Sequence, residues 1–244
     1  MLTERERERY RRQIPLFGEA GQQRLGKARV AVVGAGGLGC PAALYLAAAG
    51  IGEIRLVDPD RVERSNLNRQ VLHHEGDVGR PKVASAAEKL LAQNPGLTVS
   101  VRHAAIDEKN AEDLIGDADI VVDAVDDFAT RYLLNRAALA KGIPLVHGAV
   151  SGFDGQVTTV LPGRTACLRC IFPVPPPKES VPVVGATAGV VGLIQANEVI
   201  KYVTGTGDPL KGRLLLWDGR SASTVLLSVE RQEDCADCGS GAHR

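Results

Sequence analysis

Two groups of residues in this chain have types and spacing suited to chemistry. The first is the run Gly34-Ala35-Gly36-Gly37-Leu38-Gly39, with an acid, Asp58, about twenty residues on. Glycines at this spacing allow a tight turn, a close approach of backbone N–H groups to a phosphate and close packing of the following helix, and the later acid is placed to accept from ribose hydroxyls. The second is a pair of knuckles, Cys167-Leu-Arg-Cys170 and Cys235-Ala-Asp-Cys238. Two C-x-x-C pairs without a secretory segment read as a tetrahedral four-thiolate zinc site, with a redox dithiol as the rival. Four thiolates leave no open coordination position, so such a zinc is structural. The 64 residues between the knuckles exceed a compact zinc ribbon, so the metal would clip the C-terminal tail onto the body.

Both groups need elements to position them. An apolar run, Val30 to Val33, leads into the glycine turn. A small-residue helix is expected over Cys40 to Ala49, then a turn at Gly50 and Gly52, then a second strand, Ile54 to Val57, ending on Asp58. Strand, glycine turn, helix, strand and acid in about thirty residues make a nucleotide-binding βαβ unit, whose helix N-terminus offers free donors and a positive dipole end to an anion. The next twenty-five residues are polar, with Asp60, Asn66, Asn68, Arg69, Gln70, His73, His74 and Lys82, which suits a site better than a linker. Pro81 marks the first position of a helix and sets the Lys82 ammonium at its N-terminus, a location the dipole disfavours unless a polyphosphate binds there. His73 and His74 have no partner at metal-ligand spacing and read as loop or core residues.

Farther on, a buried strand is expected over Ala118 to Val125, finishing on Asp126 and Asp127. Acids at a strand's carboxyl end suit a metal or ribose role, although one of them could simply cap the helix that follows, Phe128 to Ala140. Other expected elements are a half-buried strand at Leu97 to Val101, a short helix at Ala111 to Ile115, a strand at Gly142 to Val150, then β-structure from Ser151 that need not be parallel. A crossover with five prolines, Phe172 to Pro182, precedes a helix at Ala188 to Val203 and strands near Leu214 to Trp217 and Thr224 to Val229. The alternating Glu and Arg of residues 3–13 read as a solvated helix.

Composition fits a soluble α/β chain of 244 residues with 44% hydrophobic and 24% charged residues. Its 29 basic residues balance 29 acidic ones, which gives no sign of a nucleic-acid or membrane partner. The charged N-terminus lacks a secretory apolar region and no apolar stretch is long enough to span a bilayer, so a cytoplasmic protein is expected.

The motifs, taken in order, resemble the MoeB/ThiF/HesA adenylyltransferases, bacterial relatives of ubiquitin-activating enzymes. The resemblance runs from Arg9-Tyr-Arg-Arg-Gln-Ile14 through the glycine turn, Asp58-Pro-Asp60, Ser65-Asn-Leu-Asn-Arg-Gln70, Gly79-Arg-Pro-Lys82 and Asp126 to the second knuckle. It implies a single adenylation domain over 1–244, with an N-terminal helical arm (1–27), a Rossmann-like nucleotide-binding core (28–150) and a carrier-binding, zinc-clipped part (151–244). It also implies transfer of AMP from Mg²⁺-bound ATP to the C-terminal glycine carboxylate of a ubiquitin-like sulfur carrier ending in Gly-Gly, as in molybdopterin or thiamine biosynthesis.

The residues carried over to nucleotide binding are Gly34, Gly36, Gly37, Gly39, Asp58, Asp60, Ser65, Asn66, Arg69, Lys82, Asp126 and Asp127. Among them Asp58 holds the ribose, Asn66, Arg69 and Lys82 contact phosphates, and Asp126 holds magnesium. Arg12 matches an arginine that reaches the neighbouring subunit's site, which implies a homodimer. Two features depart from the family pattern. Asp127 stands where Asn is usual, and the crossover segment Pro176 to Pro182 lacks the cysteine that covalently acting members carry. The expected enzyme therefore passes its acyl-adenylate to a separate sulfur donor, a cysteine desulfurase or rhodanese-type protein. The alternatives are a nicotinamide-dependent dehydrogenase and a non-catalytic binding module of the same fold.

Overall fold

A computed structural model describes residues 1–175 and 182–240. Its centre is one eight-stranded sheet in the order β3-β2-β1-β4-β5-β6-β7-β8. The strands are β1 (Arg29–Val33), β2 (Glu53–Val57), β3 (Thr98–Arg102), β4 (Ile120–Asp123), β5 (Leu145–Ser151), β6 (Asp154–Val160), β7 (Arg213–Asp218) and β8 (Ser223–Ser228). The first five pair in parallel and the last three add antiparallel strands to the same sheet. The order 3-2-1-4-5 reverses direction between β1 and β4, which opens a crevice at the carboxyl ends of those strands.

Helices cover both faces. On one lie α2 (Ile14–Leu25), α3 (Gly39–Ala49), α4 (Lys82–Gln93) and α8 (Gly185–Thr204); on the other lie α5 (Ala111–Ile115), α6 (Phe128–Lys141) and α7 (Leu168–Ile171). The near-continuous apolar runs of β1 and β4 follow from this cover. Val32 and Val122 face the first layer and Ala31 and Val121 the second, all fully buried.

Several expected boundaries shift. The N-terminal segment is two helices, α1 (Glu4–Arg9) and α2, separated by a turn at Tyr10–Gln13, and Thr3 and Glu6 close a capping box on the first. β4 stops at Asp123, so Asp126 and Asp127 sit in the loop beyond it. β3 is the sheet's edge and carries exposed residues, Val101 among them, rather than a half-buried alternation. Helix α4 begins at Lys82, with Pro81 one position earlier as its cap. Most of the expected proline crossover, residues 176–181, lies outside the described residues, and so does the missing-cysteine segment.

Candidate nucleotide cleft and thiolate clip

The crevice is a cleft of about 460 Å³ lined across the strand ends. Ala104 to Ile106 come from beyond β3, Asp58 to Asp60 from β2 and Gly34, Gly36 and Gly37 from β1. Ala124 to Asp127 follow β4, Val150 lies near the end of β5, Val183 lies just before α8 and Ala188 is in its first turn. The turn itself depends on glycine at two places. Gly34 has φ +98°, and a Cβ there would lie 2.5 Å from the Ala124 carbonyl oxygen. A Cβ on Gly39 would lie 1.7 Å from the Gly34 carbonyl oxygen, so only glycine lets α3 start this close to the loop.

Asp58 is buried and held on both oxygens. It accepts from the Ala35 N–H at 2.7 Å and from the Asp60 N–H at 2.8 Å. Burial raises its pKa above the usual aspartate value, while Lys82 and the two backbone donors pull the other way. The Lys82 ammonium is buried and lies 2.7 Å from Asp60 Oδ2. Asp60 thus answers the dipole conflict expected of Lys82 without any polyphosphate, because the carboxylate sits beside the same helix end. Arg69 lines the cleft and donates to the Ser65 carbonyl at 2.9 Å and to Asn68 Oδ1 at 3.0 Å.

Of the expected nucleotide-binding residues, the cleft brings together Gly34, Gly36, Gly37, Asp58, Asp60, Arg69, Lys82, Asp126 and Asp127. Gly39, Ser65 and Asn66 are not on its wall. Asn66 is buried, and its Oδ1 accepts from the Glu63 N–H at 3.0 Å, while Ser65 donates to Glu63 Oε2 at 3.1 Å. Both shape the turn that carries Arg69. Asp127 caps α6, accepting from the Thr130 N–H at 2.9 Å, whereas Asp126 is exposed at the cleft edge. Arg12 is exposed on the turn before α2 and does not line this chain's own cleft.

Sequence reading named Gln70 only as part of the polar stretch and missed three other side chains beside the cleft, Arg131, His147 and Asp123. Gln70 and Arg131 line it, both almost wholly buried, and Gln70 Oε1 and Arg131 Nε and Nη1 have no hydrogen-bond partner among the described residues. Behind the end of β4, His147 Nδ1–H donates to Asp123 Oδ2 at 2.7 Å with both side chains fully buried. Burial pushes the His147 pKa down despite the Asp123 bond, and the nearby Arg131 cation adds to that, so the imidazole is neutral. In this tautomer its Nε2 accepts from Gln156 Nε2 at 3.2 Å. One signal for Arg131 was available in sequence: with Asn135 and Ala138 it follows i, i+4, i+7 along one face of α6, a polar pair on a buried stripe. His73 is a core residue as expected, with Nδ1 2.9 Å from Ser85 Oγ and Nε2 3.0 Å from the Ala35 carbonyl.

The four knuckle cysteines converge on the α6 side of the sheet, all buried and with Sγ atoms within 4.8 Å of one another. A tetrahedral zinc with bonds of about 2.3 Å has S···S edges of about 3.8 Å. The Sγ separations are 3.9 Å for Cys167–Cys170, 3.6 Å for Cys167–Cys235 and 3.4 Å for Cys170–Cys238, so the cage fits that ion. The Gln232 N–H points at Cys170 Sγ from 3.4 Å, the kind of outer bond that steadies a metal thiolate. Asn135 ties the two knuckles to α6, accepting from the Leu168 N–H at 3.0 Å and donating to Asp237 Oδ2 at 2.8 Å.

Known proteins are similar to this chain in sequence and fold. The model of the ThiF family matches residues 10–238. The chain belongs to the ThiF family. The sulfur carrier protein adenylyltransferase of Thermus thermophilus is 46% identical over 250 residues, covering 97% of this chain and 92% of that one. The SAMP-activating enzyme E1 of Haloferax volcanii is 46% identical over 242 residues, covering 96% and 89%. The adenylyltransferase and sulfurtransferase MOCS3 of Culex quinquefasciatus is also 46% identical, but this ThiF chain spans only 56% of it. Among solved structures, E. coli MccB with MccA-N7isoASN superposes with a TM-score of 0.88 at 26% identity, covering 96% of this chain and 75% of that one. MccB with ATP gives 0.79 at 27% identity, covering 90% and 69%. Among the described residues no helix is long and apolar enough to cross a membrane.

Proposed function

We propose that this ThiF-family chain is an ATP-dependent adenylyltransferase that activates the C-terminal glycine carboxylate of a ubiquitin-like sulfur carrier. The observation that carries the reading is that one cleft gathers the glycine turn, the buried Asp58, the Lys82–Asp60 pair, Arg69 and Asp126. The names of the two relatives that this chain nearly spans support it. A carboxylate oxygen attacks the α-phosphorus, the bond to the β-phosphate oxygen breaks, and pyrophosphate leaves with the electron pair. Two anions must approach, so the site has to supply positive charge.

In this reading Asp58, with both oxygens oriented by backbone donors, accepts from the ribose hydroxyls. The N–H groups of the glycine turn and the N-termini of α3 and α8 face the phosphates. Arg69 and Lys82 turn from their present partners toward the phosphates when nucleotide enters, and Asn66 keeps Arg69 in place. Mg²⁺ would sit at Asp126, with the second oxygen of Asp127 near, and would neutralise phosphate charge. One or two carboxylates plus phosphate oxygens is an ordinary magnesium set, and these residues fit it. Zinc in the thiolate cage holds the tail and takes no part in the chemistry. Arg12 acts on the partner's site in a homodimer. Residues 1–244 work as one adenylation domain and pass the acyl-adenylate to a separate sulfur donor.

The test is ATP–pyrophosphate exchange by the purified protein with magnesium, with and without Gly-Gly-terminated carriers of the molybdopterin and thiamine types. Exchange that depends on one carrier supports the reading and identifies the pathway. ATP binding without exchange on any carrier rejects the carrier assignment, and no ATP binding rejects the nucleotide site.

A further inference from the structure

Arg131 is not among the residues that the proposed reaction uses above, yet it is the most poorly satisfied cation beside the cleft. It lies in the first turn of α6, with 4% of its surface exposed. Nη2 donates to the Val125 carbonyl at 2.6 Å, and the guanidinium carbon lies 5.1 Å from the centre of the Phe128 ring. Two donors are bare: Nε and Nη1, on different sides of the guanidinium, are buried without a hydrogen-bond partner, and no ion pair joins the side chain to any carboxylate among the described residues. The Phe128 ring attracts the flat face of the cation and does nothing for donors on its edge.

Two costs therefore fall on one side chain. Buried N–H donors of a charged group lose water without replacement. A cation in the first turn of a helix also sits at the positive end of the dipole, the wrong end for it. An oxyanion on Nη1 would relieve both costs, leaving only Nε without a partner. It would accept from Nη1, alone or end-on together with the second N–H of Nη2, a geometry suited to carboxylate or phosphate, and it would favour the same helix end. Gln70 Oε1, the other bare buried atom on the cleft wall, is an acceptor and so has no use for an anion. The two orphans call for different parts of a ligand.

We infer that Arg131 is a binding residue for an oxyanion at the β4 end of the cleft. On the adenylylation reading, which this inference extends, two oxyanions meet at that point: the α-phosphate of the nucleotide and the carboxylate of the acyl acceptor. Arg131 grips one of them through Nη1, while Lys82 and Arg69 serve the glycine-turn side.

The experiment compares wild type with Arg131→Gln and Arg131→Lys. Calorimetry with AMP and with adenosine reads the phosphate without any turnover, and pyrophosphate exchange reads the carrier. A hydrogen-bonded charge at a buried site corresponds to about a 10- to 100-fold change in binding. If the anion is the nucleotide phosphate, Arg131→Gln weakens AMP by that factor and leaves adenosine alone, and Arg131→Lys recovers part of the loss. If it is the acceptor carboxylate, AMP and adenosine both bind as in wild type, and kcat/KM for the carrier falls by the same factor. Unchanged AMP binding together with unchanged carrier kinetics overturns the proposal. Equal losses for AMP and adenosine in both variants also overturn it, because Arg131 would then only shape the cleft. Lack of exchange by wild type rejects the adenylylation reading instead, and the comparison of AMP with adenosine still decides Arg131.

Discussion

Replacing Cys167 with serine is the sharpest perturbation of the C-terminal half. Its Sγ lies 3.9 Å from Cys170 Sγ and 3.6 Å from Cys235 Sγ, two of its three edges of the tetrahedron, and it joins the two knuckles. Structural zinc in small domains is worth about 10–16 kcal/mol at neutral pH, which gives on the order of 3 kcal/mol for each thiolate lost. What loosens is the tail. Asp237 loses its fixed place against Asn135, and the Arg169 guanidinium, which lies 3.6 Å from the centre of the Tyr132 ring, loses the Asp237 carboxylate 4.0 Å away. The first apolar layer contains none of the four cysteines, whereas all four pack into the second.

For a chain of this size each kcal/mol moves Tm by about 2–4 °C, so Cys167→Ser should melt about 6–12 °C below wild type. Bound zinc should fall from about one ion per chain toward none, measured by elemental analysis after dialysis against a mild chelator. Tryptic cleavage after Arg231 should accelerate. Cys40→Ser is the control, because Cys40 lies in the buried core beside the Ala35 carbonyl and outside the thiolate cluster, so its zinc content should match wild type. One zinc per chain and an unchanged Tm in Cys167→Ser would refute the four-thiolate clip and the reasoning from its edges.

Lys82→Ala should cut carrier-dependent pyrophosphate exchange by at least about 100-fold, the scale for removing one electrostatic donor, while the circular dichroism spectrum stays that of wild type. Near-normal turnover would remove Lys82 from the site. Asp77→Asn probes the network behind α4. Burial alone would raise the pKa of Asp77, but Lys89 at 2.6 Å, the His74 N–H and the Ser85 hydroxyl outweigh it and hold the carboxyl below the usual aspartate range. A depressed carboxyl stabilises the fold above its unfolded pKa, about 3.9, and loses that contribution as pH falls through its folded value. The variant should therefore be less stable than wild type by on the order of 2 kcal/mol at pH 7 in urea titrations, and the gap should shrink steadily below pH 4. A gap independent of pH would show that the effect is packing and not charge. Finally, Arg12→Ala and Lys82→Ala should each be inactive alone, and mixing them with subunit exchange should restore about a quarter of wild-type sites if Arg12 acts across a two-fold axis; full activity of Arg12→Ala alone would place Arg12 outside the reaction, and no recovery on mixing would refute its action across the axis.

Much of this architecture could be read in the chain because local rules and the global fold agree there. The β1-turn-α3-β2 unit combines apolar runs, glycines at sterically demanded positions and a terminal acid, and each places the next. The knuckles were legible because thiol spacing constrains few alternatives. Strand ends were harder: β4 yields to loop at Asp123, where the carboxyl turns inward to His147, although apolar character continues through Ala124 and Val125. Periodicity cannot report such a turn, since it depends on a partner twenty-four residues away on the next strand. The role of Lys82 was half legible. Its helix-end position could be read, but its answering charge, Asp60, becomes a neighbour only because the loop after β2 folds back to pair Arg61 with Pro81. Arg131 was the least visible, since a lone arginine in a helix is ordinarily a solvated one. What distinguishes it is burial with bare donors, a property of the packed molecule. A residue left unsatisfied in the folded chain marks where a ligand must supply the missing half of an interaction, and here that mark stands at the β4 end of the same cleft that the glycine turn opens.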